Sequence, residues 1–202
     1  MKKVSIIIPV YNQEELIIKA LDSIPRRDYI EVIVVDDGST DKTWDNVINY
    51  DKRNELDLVM LANGANQGAG YSRNKGIDVA TGKYIVFLDS DDYFYTDKWD
   101  EFVEYLDGAD LVYYNLQINN NDIWKVTSET KENLCGMTKA AKRSFIGNTR
   151  FNDEKFGEDW YFYKDLLKKV PTEIFTDITL VHYNFPREGS LCNIGAKDFQ
   201  KV

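Results

Sequence analysis

Short apolar runs alternate with segments of helical periodicity along the first half of the chain. Residues 4–9 form an apolar run that is rich in isoleucine and contains one serine, which is typical of a strand covered on both faces. Similar runs predict strands over 31–35, 56–61 and 83–88. Apolar residues three and four apart predict helices after the first two strands and over 72–79. This alternation predicts an α/β fold with a parallel sheet and right-handed crossovers.

The second half of the chain has a less regular pattern. It predicts helices over 97–106 and 158–169 and strands over 111–118, 123–127 and 179–185. In the second of these helices, the periodicity turns five side chains inward: Trp160, Phe162, Tyr163, Leu166 and Leu167. No linker rich in proline, glycine or serine divides the chain, so we predict a single domain over 1–202.

Polar residues mark one helix start and one exposed surface. Asn12 and Glu15 have the spacing of a capping box at the start of the first helix. Lys139, Lys142 and Arg143 have helical spacing, which is typical of a solvated helix face.

The composition supports a folded protein and argues against two kinds of partner. The 202 residues are 43% hydrophobic, which is enough for a substantial core. There are 34 acidic and 25 basic residues, and the net charge of −9 disfavours bulk attraction to nucleic acid or an anionic membrane. Two distant cysteines, Cys135 and Cys192, and a single histidine argue against a structural zinc site. They favour reduced thiols, so we expect a cytoplasmic protein.

The start of the chain has the lysines and the apolar run of a signal peptide. The run is short, however, and contains Pro9, and polar residues 12–15 follow it without a cleavage site. No apolar stretch approaches the roughly 20 residues of a membrane span. We therefore predict a buried strand and no transmembrane segment.

Three polar clusters directly follow predicted strands, at 11–12, 36–39 and 89–92. One acidic turn is also typical of a helix cap. Three clusters at the carboxyl ends of parallel strands favour a ligand site, because open α/β sheets bind ligands there. Asp89 and Asp91 form an Asp-x-Asp pattern, whose carboxylates suit Mg²⁺ or Mn²⁺ with substrate phosphates completing the ligand shell.

Four segments carry a family resemblance: VSIIIPVYNQEE, VVDDGSTD, NQGAGYSRNKGIDVATGKYIVFLDSDD and GEDWYFYKDL. They resemble, in this order, the inverting family 2 nucleotide-sugar glycosyltransferases of GT-A fold. The resemblance implies a Rossmann-like, mostly parallel central sheet flanked by helices. Residues 1–95 would form the donor-binding half, and 96–202 the variable acceptor half with the catalytic base. No match can be placed over 108–150. The implied reaction is metal-dependent transfer of a sugar to an acceptor hydroxyl.

The resemblance also implies how the donor is bound. Tyr11 would stack on the nucleotide base, its alternative being a partly buried core position. Asp37 would accept a hydrogen bond from the base. A carboxylate acceptor suits uracil, thymine or guanine but not cytosine N3, so a UDP-sugar is preferred over dTDP- or GDP-sugars. Arg73 would approach the diphosphate or sugar, with a solvated helix arginine as the alternative. The remaining implied donor-binding residues are Pro9, Asn12, Glu14, Gly68, Asp89, Ser90 and Arg187.

The implied chemistry needs a metal and a base. Asp91 would bind Mn²⁺ or Mg²⁺, with Asp89 nearer the ribose or the water shell of the metal. His182 is a third candidate ligand, although a lone histidine on a strand is more often structural. Asp159 would be the catalytic base that takes the proton of the acceptor hydroxyl. Glu158 is adjacent, and the sequence does not separate the two carboxylates.

Two other functions stay open at this point. An aspartyl-nucleophile phosphohydrolase would use Asp89, although such families place Asp-x-Asp after the first strand and not the fourth. A non-catalytic nucleotide-sugar-binding module would keep the donor residues without turnover. For the transferase, glycans, lipid carriers, proteins and modified nucleobases are all open as acceptors. The negative charge disfavours nucleic acid, and the sequence does not determine whether the protein is a homo-oligomer.

Overall fold

The computed structural model describes residues 3–52, 56–119, 121–131, 136–154 and 157–184. Its strands are β1 (Val4–Val10), β2 (Ile30–Asp36), β3 (Leu58–Ala62), β4 (Tyr84–Phe87), β5 (Tyr93–Phe94), β6 (Leu111–Ile118), β7 (Ile123–Trp124), β8 (Lys139–Lys142) and β9 (Glu173–Tyr183). Its α-helices are α1 (Ile17–Asp22), α2 (Thr43–Asp51), α3 (Ala69–Val79), α4 (Trp99–Val103), α5 (Arg143–Ile146) and α6 (Glu158–Leu167).

The strands of this part of the chain form one sheet in the order β3-β2-β1-β4-β8-β6-β9-β5, with β7 paired to β6. The first four strands are parallel. β8 is antiparallel to both β4 and β6, while β9 is parallel to β6. Strands from both halves of the chain therefore share one sheet. The prediction of an α/β fold with a mostly parallel central sheet is confirmed.

Two apolar layers cover the sheet, and the period of two along β1 divides its side chains between them. Ile6 and Ile8 pack into the layer that includes α1, α2 and α4, whereas Ile7 packs into the layer with α3 and α6. α3 lies close to β1, since a Cβ at Gly76 would stand 2.5 Å from the Ile7 side chain. The helices on both faces hold the carboxyl ends of the strands at one edge.

The predicted capping box is wrong. α1 begins at Ile17, its N-cap is Leu16, and no side chain caps it. Asn12 instead has a φ of +50°, and its Oδ1 accepts a hydrogen bond from the Thr40 amide at 2.8 Å. An asparagine tolerates this backbone conformation, so its amide serves the neighbouring loop and not the helix.

Three expectations for the second half are also corrected. The last strand starts at Glu173, six residues before the predicted start at 179. Lys139 does not lie on a solvated helix face but in β8, with 1% exposure and its Nζ 3.6 Å from the Tyr163 ring centre. A lysine stem packs well among aromatic rings, and spacing alone misses this. Trp160, predicted to point inward, is 41% exposed.

In the described part of the chain, every helix is too short or too polar to cross a membrane.

Candidate active site

The loops that follow β1 and β2 are joined by side-chain to backbone hydrogen bonds. The Asn12 amide donates to Ser39 Oγ at 2.9 Å, and the Lys42 amide donates to Glu14 Oε2 at 2.9 Å. Tyr11 lies beside these contacts and is 41% exposed, which excludes the core alternative for this ring. Pro9 lies near the end of β1. The pairing of β1 with β4 ends at Ile7, so the missing amide hydrogen of Pro9 does not interrupt the hydrogen bonds between these two strands.

Asp37 is the anchor of the glycine-rich loop after β3. Its buried carboxylate accepts hydrogen bonds from Asn63 Nδ2 at 2.7 Å, the Gly68 amide at 2.7 Å and the Gln67 amide at 3.0 Å. The loop also crosses Gly38, whose φ is +77° and whose Cβ would stand 2.9 Å from the Ala65 backbone. Both Asp37 oxygens therefore accept from the loop already. A nucleotide base that reaches Asp37 would share one of them.

The Arg73 bridge, made of Arg73, Asp89 and Glu158, connects three elements of the fold. Arg73 extends from α3 and is 6% exposed. Its Nη2 donates to Asp89 Oδ1 at 2.8 Å, and its Nη1 donates to Glu158 Oε1 at 2.7 Å. The alternative of a solvated helix arginine is excluded, because Arg73 is buried and two carboxylates hold its terminal nitrogens. Its expected approach to the diphosphate or sugar stays a prediction.

Within the Arg73 bridge, the pKa values of both Arg73 and Glu158 are raised. Burial alone would lower the pKa of Arg73, but the facing carboxylates of Asp89 and Glu158 raise it above its ordinary value. Burial raises the pKa of Glu158, and the neighbouring Asp159 adds to the rise while Arg73 opposes it. The charged form of Glu158 is thus disfavoured even beside an arginine.

Asp159 follows Glu158 in the first turn of α6. It precedes Phe162, Tyr163 and Leu166 by three, four and seven residues, and these three side chains are buried. The helical repeat therefore directs Asp159 toward the packed face of α6. Glu158 is the member of the pair that Arg73 holds.

The turn after β4 contains the predicted metal ligands. The side chains of Asp89 and Asp91 are partly exposed, whereas Asp92 is buried. Asp92 Oδ1 accepts a hydrogen bond from the Asn184 amide at 2.7 Å, which fastens the turn to the end of β9. Two hard carboxylate ligands fit Mg²⁺ or Mn²⁺, which commonly takes one or two carboxylates and substrate phosphates. Within the described ranges, no three or more His, Cys, Asp or Glu side chains are grouped to hold a metal by themselves.

His182 has a structural environment. Its Nδ1 lies 3.1 Å from the Tyr95 hydroxyl, and its Nε2 lies 3.0 Å from Asn119 Oδ1. Its ring stacks on Tyr93 at 4.4 Å. Burial lowers the pKa of His182, and Lys19 lowers it further. Both ring nitrogens therefore have protein partners, which favours the structural alternative, and the metal-ligand role of His182 stays a prediction. Arg187, expected to contact the donor, lies outside the described residues.

A comparison of the sequence with known families decides the class of protein. The profile of Glycosyl transferase family 2 matches residues 5–166. The chain belongs to this family. The predicted family is therefore confirmed, and so is the predicted glycosyltransferase class.

Two relatives agree with this membership. An uncharacterized glycosyltransferase of Haemophilus influenzae is 36% identical over 193 residues, covering 86% of this chain and 75% of that protein. The UDP-Glc:alpha-D-GlcNAc-diphosphoundecaprenol beta-1,3-glucosyltransferase WfaP of Escherichia coli is 43% identical over 100 residues, covering 48% of this chain and 39% of WfaP.

The solved structure of S. aureus TarS 1-349 in complex with UDP-GlcNAc matches with a TM-score of 0.82 and 27% identity. The match covers 93% of this chain and 60% of the TarS chain. This chain therefore has the GT-A fold, as predicted. It spans only part of the length of WfaP and of the TarS chain.

Two residues of this site, Asn74 and Asn63, are not indicated by any pattern in the sequence. Asn74 donates to the Phe151 carbonyl at 2.9 Å and accepts from the Phe151 amide at 2.8 Å, which holds the chain before α6 against α3. Asn63, which binds Asp37, was missed as well. Both pairings join positions far apart in sequence, so only a contact between the two segments would have indicated them.

Proposed function

We propose that this chain is a metal-dependent, inverting glycosyltransferase that moves a sugar from a UDP-sugar to an acceptor hydroxyl. The observation that carries the proposal is the Arg73 bridge. It connects the Asp89 turn, where a metal and diphosphate would lie, to the α6 start that carries Asp159. The likeness to TarS bound to UDP-GlcNAc supports a UDP-sugar donor.

In the proposed mechanism, Tyr11 stacks on the base, and Asp37 positions the loop that lines the donor pocket. Asp91 and Asp89 would hold Mn²⁺ or Mg²⁺, which supplies charge neutralisation for the departing diphosphate. Asp159 is the base that we propose, as the family resemblance implies, and Glu158 is the neighbouring carboxylate that accepts a hydrogen bond from Arg73. Asp159 takes the proton of the acceptor hydroxyl as its oxygen attacks the anomeric carbon. The bond from that carbon to the diphosphate oxygen breaks, the nucleoside diphosphate keeps the electron pair, and the configuration inverts.

The acceptor we propose is a sugar hydroxyl on a lipid-linked or polymeric glycan. Its support is the 43% identity with WfaP, whose name specifies a diphosphoundecaprenol-linked GlcNAc acceptor. The phosphohydrolase alternative has no comparable support, because Asp89 follows the fourth strand and Arg73 holds one of its oxygens.

Replacement of Asp159 by Asn tests the base. Asparagine keeps the size of the side chain but cannot accept the proton, so turnover should fall about 10²- to 10⁴-fold while UDP affinity is unchanged. Asp165→Asn is the matched control, because Asp165 lies on the same helix, is exposed and pairs with Lys168 at 2.7 Å. Nucleotide release from UDP-sugars measures turnover, and calorimetry with UDP and Mn²⁺ measures affinity.

The same calorimetry tests the donor site. UDP binding should strengthen with Mn²⁺ in the wild type and lose that dependence in Asp91→Ala. The absence of metal-strengthened binding to UDP, dTDP and GDP would contradict the donor site. Nucleotide binding without turnover by the wild type on any lipid-linked or glycan acceptor would contradict the transferase and establish a binding module.

A further inference from the structure

The guanidinium of Arg73 has two partners, one from the donor part of the proposed site and one from the part that carries the proposed base. Asp89 Oδ1 belongs to the turn that would bind metal, and Glu158 Oε1 belongs to the helix that carries Asp159. One planar, rigid group thus spans the two parts of the site. Its fork geometry fixes the separation of the two carboxylates as well as their charge balance.

We propose that Arg73 is a positioning residue, which aligns the metal-binding turn with the start of α6 without contacting the donor. This inference rests on the proposed function, since it assigns how the two ends of that reaction stay aligned. Both terminal nitrogens of Arg73 are held by carboxylates, and the side chain is 8% exposed. Little of the guanidinium is left to face a substrate.

The surroundings of Arg73 make it a rigid connection. Its Cζ lies 5.4 Å from the centre of the Phe151 ring, and that ring stacks on Phe162 of α6 at 4.1 Å. A Cβ at Gly70 would stand 3.2 Å from Glu158 Cγ, so α3 and the start of α6 nearly touch. A shift of the guanidinium would therefore move the first turn of α6.

Within the described part of the chain, the third nitrogen of the guanidinium, Nε, is left unsatisfied when the other two bind the carboxylates. Arg73 Nε is buried and has no hydrogen-bond partner among the residues that the structure describes. Buried donors are normally paired, so a position chosen only for stability would be expected to satisfy it. The two carboxylates determine where the guanidinium lies.

A second ion pair provides a control for stability alone. Arg150 donates from Nη2 to Asp78 Oδ1 at 2.7 Å, which also joins α3 to the chain just before Phe151. This pair is more exposed and does not contact Asp89 or Glu158. Asp78→Asn thus loosens the same two segments without touching the Arg73 bridge.

The test compares Arg73→Lys, Glu158→Gln and Asp78→Asn. Lysine keeps the charge but has one nitrogen for two carboxylates. In Arg73→Lys, the Mn²⁺ concentration for half-maximal UDP binding should rise about tenfold, and kcat should fall about 100-fold. Glu158→Gln should leave that Mn²⁺ concentration unchanged and lower kcat alone, because Asp89 keeps its partner. Asp78→Asn should change neither quantity.

Hydrogen exchange of the α6 amides from Tyr161 onward, the first of which donates to the Gly157 carbonyl, gives a readout that is independent of turnover. Exchange should accelerate in Arg73→Lys and Glu158→Gln but not in Asp78→Asn. If Arg73→Lys weakened UDP binding by the same factor with and without Mn²⁺, the proposal would be overturned, because that result would indicate that Arg73 contacts the donor directly. Wild-type exchange and wild-type kcat in Glu158→Gln, which is nearly isosteric, would overturn it even if Arg73→Lys fails to fold. A wild type without metal-strengthened UDP binding would refute the proposed function, while the exchange data would still test the bridge.

Discussion

The two ends of the central sheet each hold a glutamate, Glu31, which is 5% exposed, and Glu158, whose side chain is 14% exposed. The surroundings of the two carboxylates shift their pKa values in opposite directions. At the amino ends, the Glu31 cluster consists of Ser5, Glu31, Thr81 and Gly82. Glu31 accepts hydrogen bonds from Ser5 Oγ, from Thr81 Oγ1 at 2.8 Å, and from the Thr81 and Gly82 amides at 2.5 and 3.0 Å. Burial works to raise the pKa of Glu31, but these hydrogen bonds bring it below its ordinary value.

At the carboxyl ends, Glu158 of the Arg73 bridge has a raised pKa. Burial is the largest cause, and the like charge of Asp159 adds to it. Glu31 is surrounded by neutral donors that all favour its charged form, whereas Glu158 shares one cation with Asp89. The amino end is arranged for stability. The carboxyl end keeps unfavourable charge close together, which is typical of a site that binds a cation or moves a proton.

Removal of the Glu31 carboxylate should have the largest effect on stability. Glu31→Ala removes the acceptor of the buried Ser5 hydroxyl and of the Thr81 amide and hydroxyl, and it leaves the Gly82 amide with Ser5 Oγ as its acceptor. We expect a loss of about 3 kcal/mol of unfolding free energy and a fall in Tm of about 6 to 12 °C. UDP affinity of the folded variant should be unchanged. Urea unfolding and calorimetry measure the two quantities.

Glu31→Gln is the matched control, because glutamine restores an acceptor oxygen but not the charge. It should lose about 1 kcal/mol. If Glu31→Ala were as stable as the wild type, or if it lost UDP affinity while folded, the division between a stabilising end and a functional end would be wrong.

The contrast between the two ends also explains what the sequence could predict. Strands such as β1 and β4 were predictable because buried parallel strands need unbroken apolar runs. The Asp89–Asp92 turn was predictable because its place after a strand follows from the same pattern. Arg73 and Glu158 are 85 residues apart, and no local pattern brings them together.

Long-range pairing also decided the elements that were missed. Lys139–Lys142 has the composition of a helix surface, yet it forms β8 because β4 and β6 lie on either side of it. Asn12 has a typical capping sequence, but Thr40 competes for its side chain. In both cases a tertiary partner outweighs local propensity.

Alanine substitutions at two glycines, one at each end of the sheet, should distinguish a loss of stability from a loss of alignment between α3 and α6. A Cβ at Gly82 would lie 2.5 Å from the Ser5 amide nitrogen, so Gly82→Ala must displace backbone in the Glu31 cluster. We expect a loss of about 2 kcal/mol. At Gly70 the nearest atoms would lie at 3.2 Å, including Glu158 Cγ. Gly70→Ala should change stability by less than about 1 kcal/mol but lower kcat about tenfold by shifting α6.

Thermal unfolding and nucleotide release from a UDP-sugar distinguish these two outcomes. A Gly70 variant with lowered Tm and unchanged kcat would show that the contact between α3 and α6 serves packing alone. A Gly82 variant with wild-type Tm would show that the amino end of the sheet accommodates extra volume.

The smallest effects should come from charge removal at the two glutamates, and their signs should be opposite. Because the folded pKa of Glu31 is lowered, the stability it contributes is present above its unfolded pKa and is lost as the pH falls through the folded pKa. Because the folded pKa of Glu158 is raised, its contribution is present below the unfolded pKa and is lost as the pH rises through the folded pKa. At pH 7, Glu31→Gln should therefore be less stable than the wild type, and Glu158→Gln should not be.

Urea unfolding between pH 4 and pH 8 checks these signs. The deficit of Glu31→Gln should shrink toward pH 4, because unfolded Glu31 takes up its proton at a higher pH than folded Glu31, whose pKa is lowered. Any advantage of Glu158→Gln should also shrink there, because protonation relieves the repulsion from Asp159. Equal destabilisation of both variants at pH 7 would show that Arg73 compensates Glu158 as fully as the neutral donors compensate Glu31. In that case the carboxyl end would hold no more electrostatic strain than the amino end, and the raised pKa of Glu158 would lose its value as a marker of function.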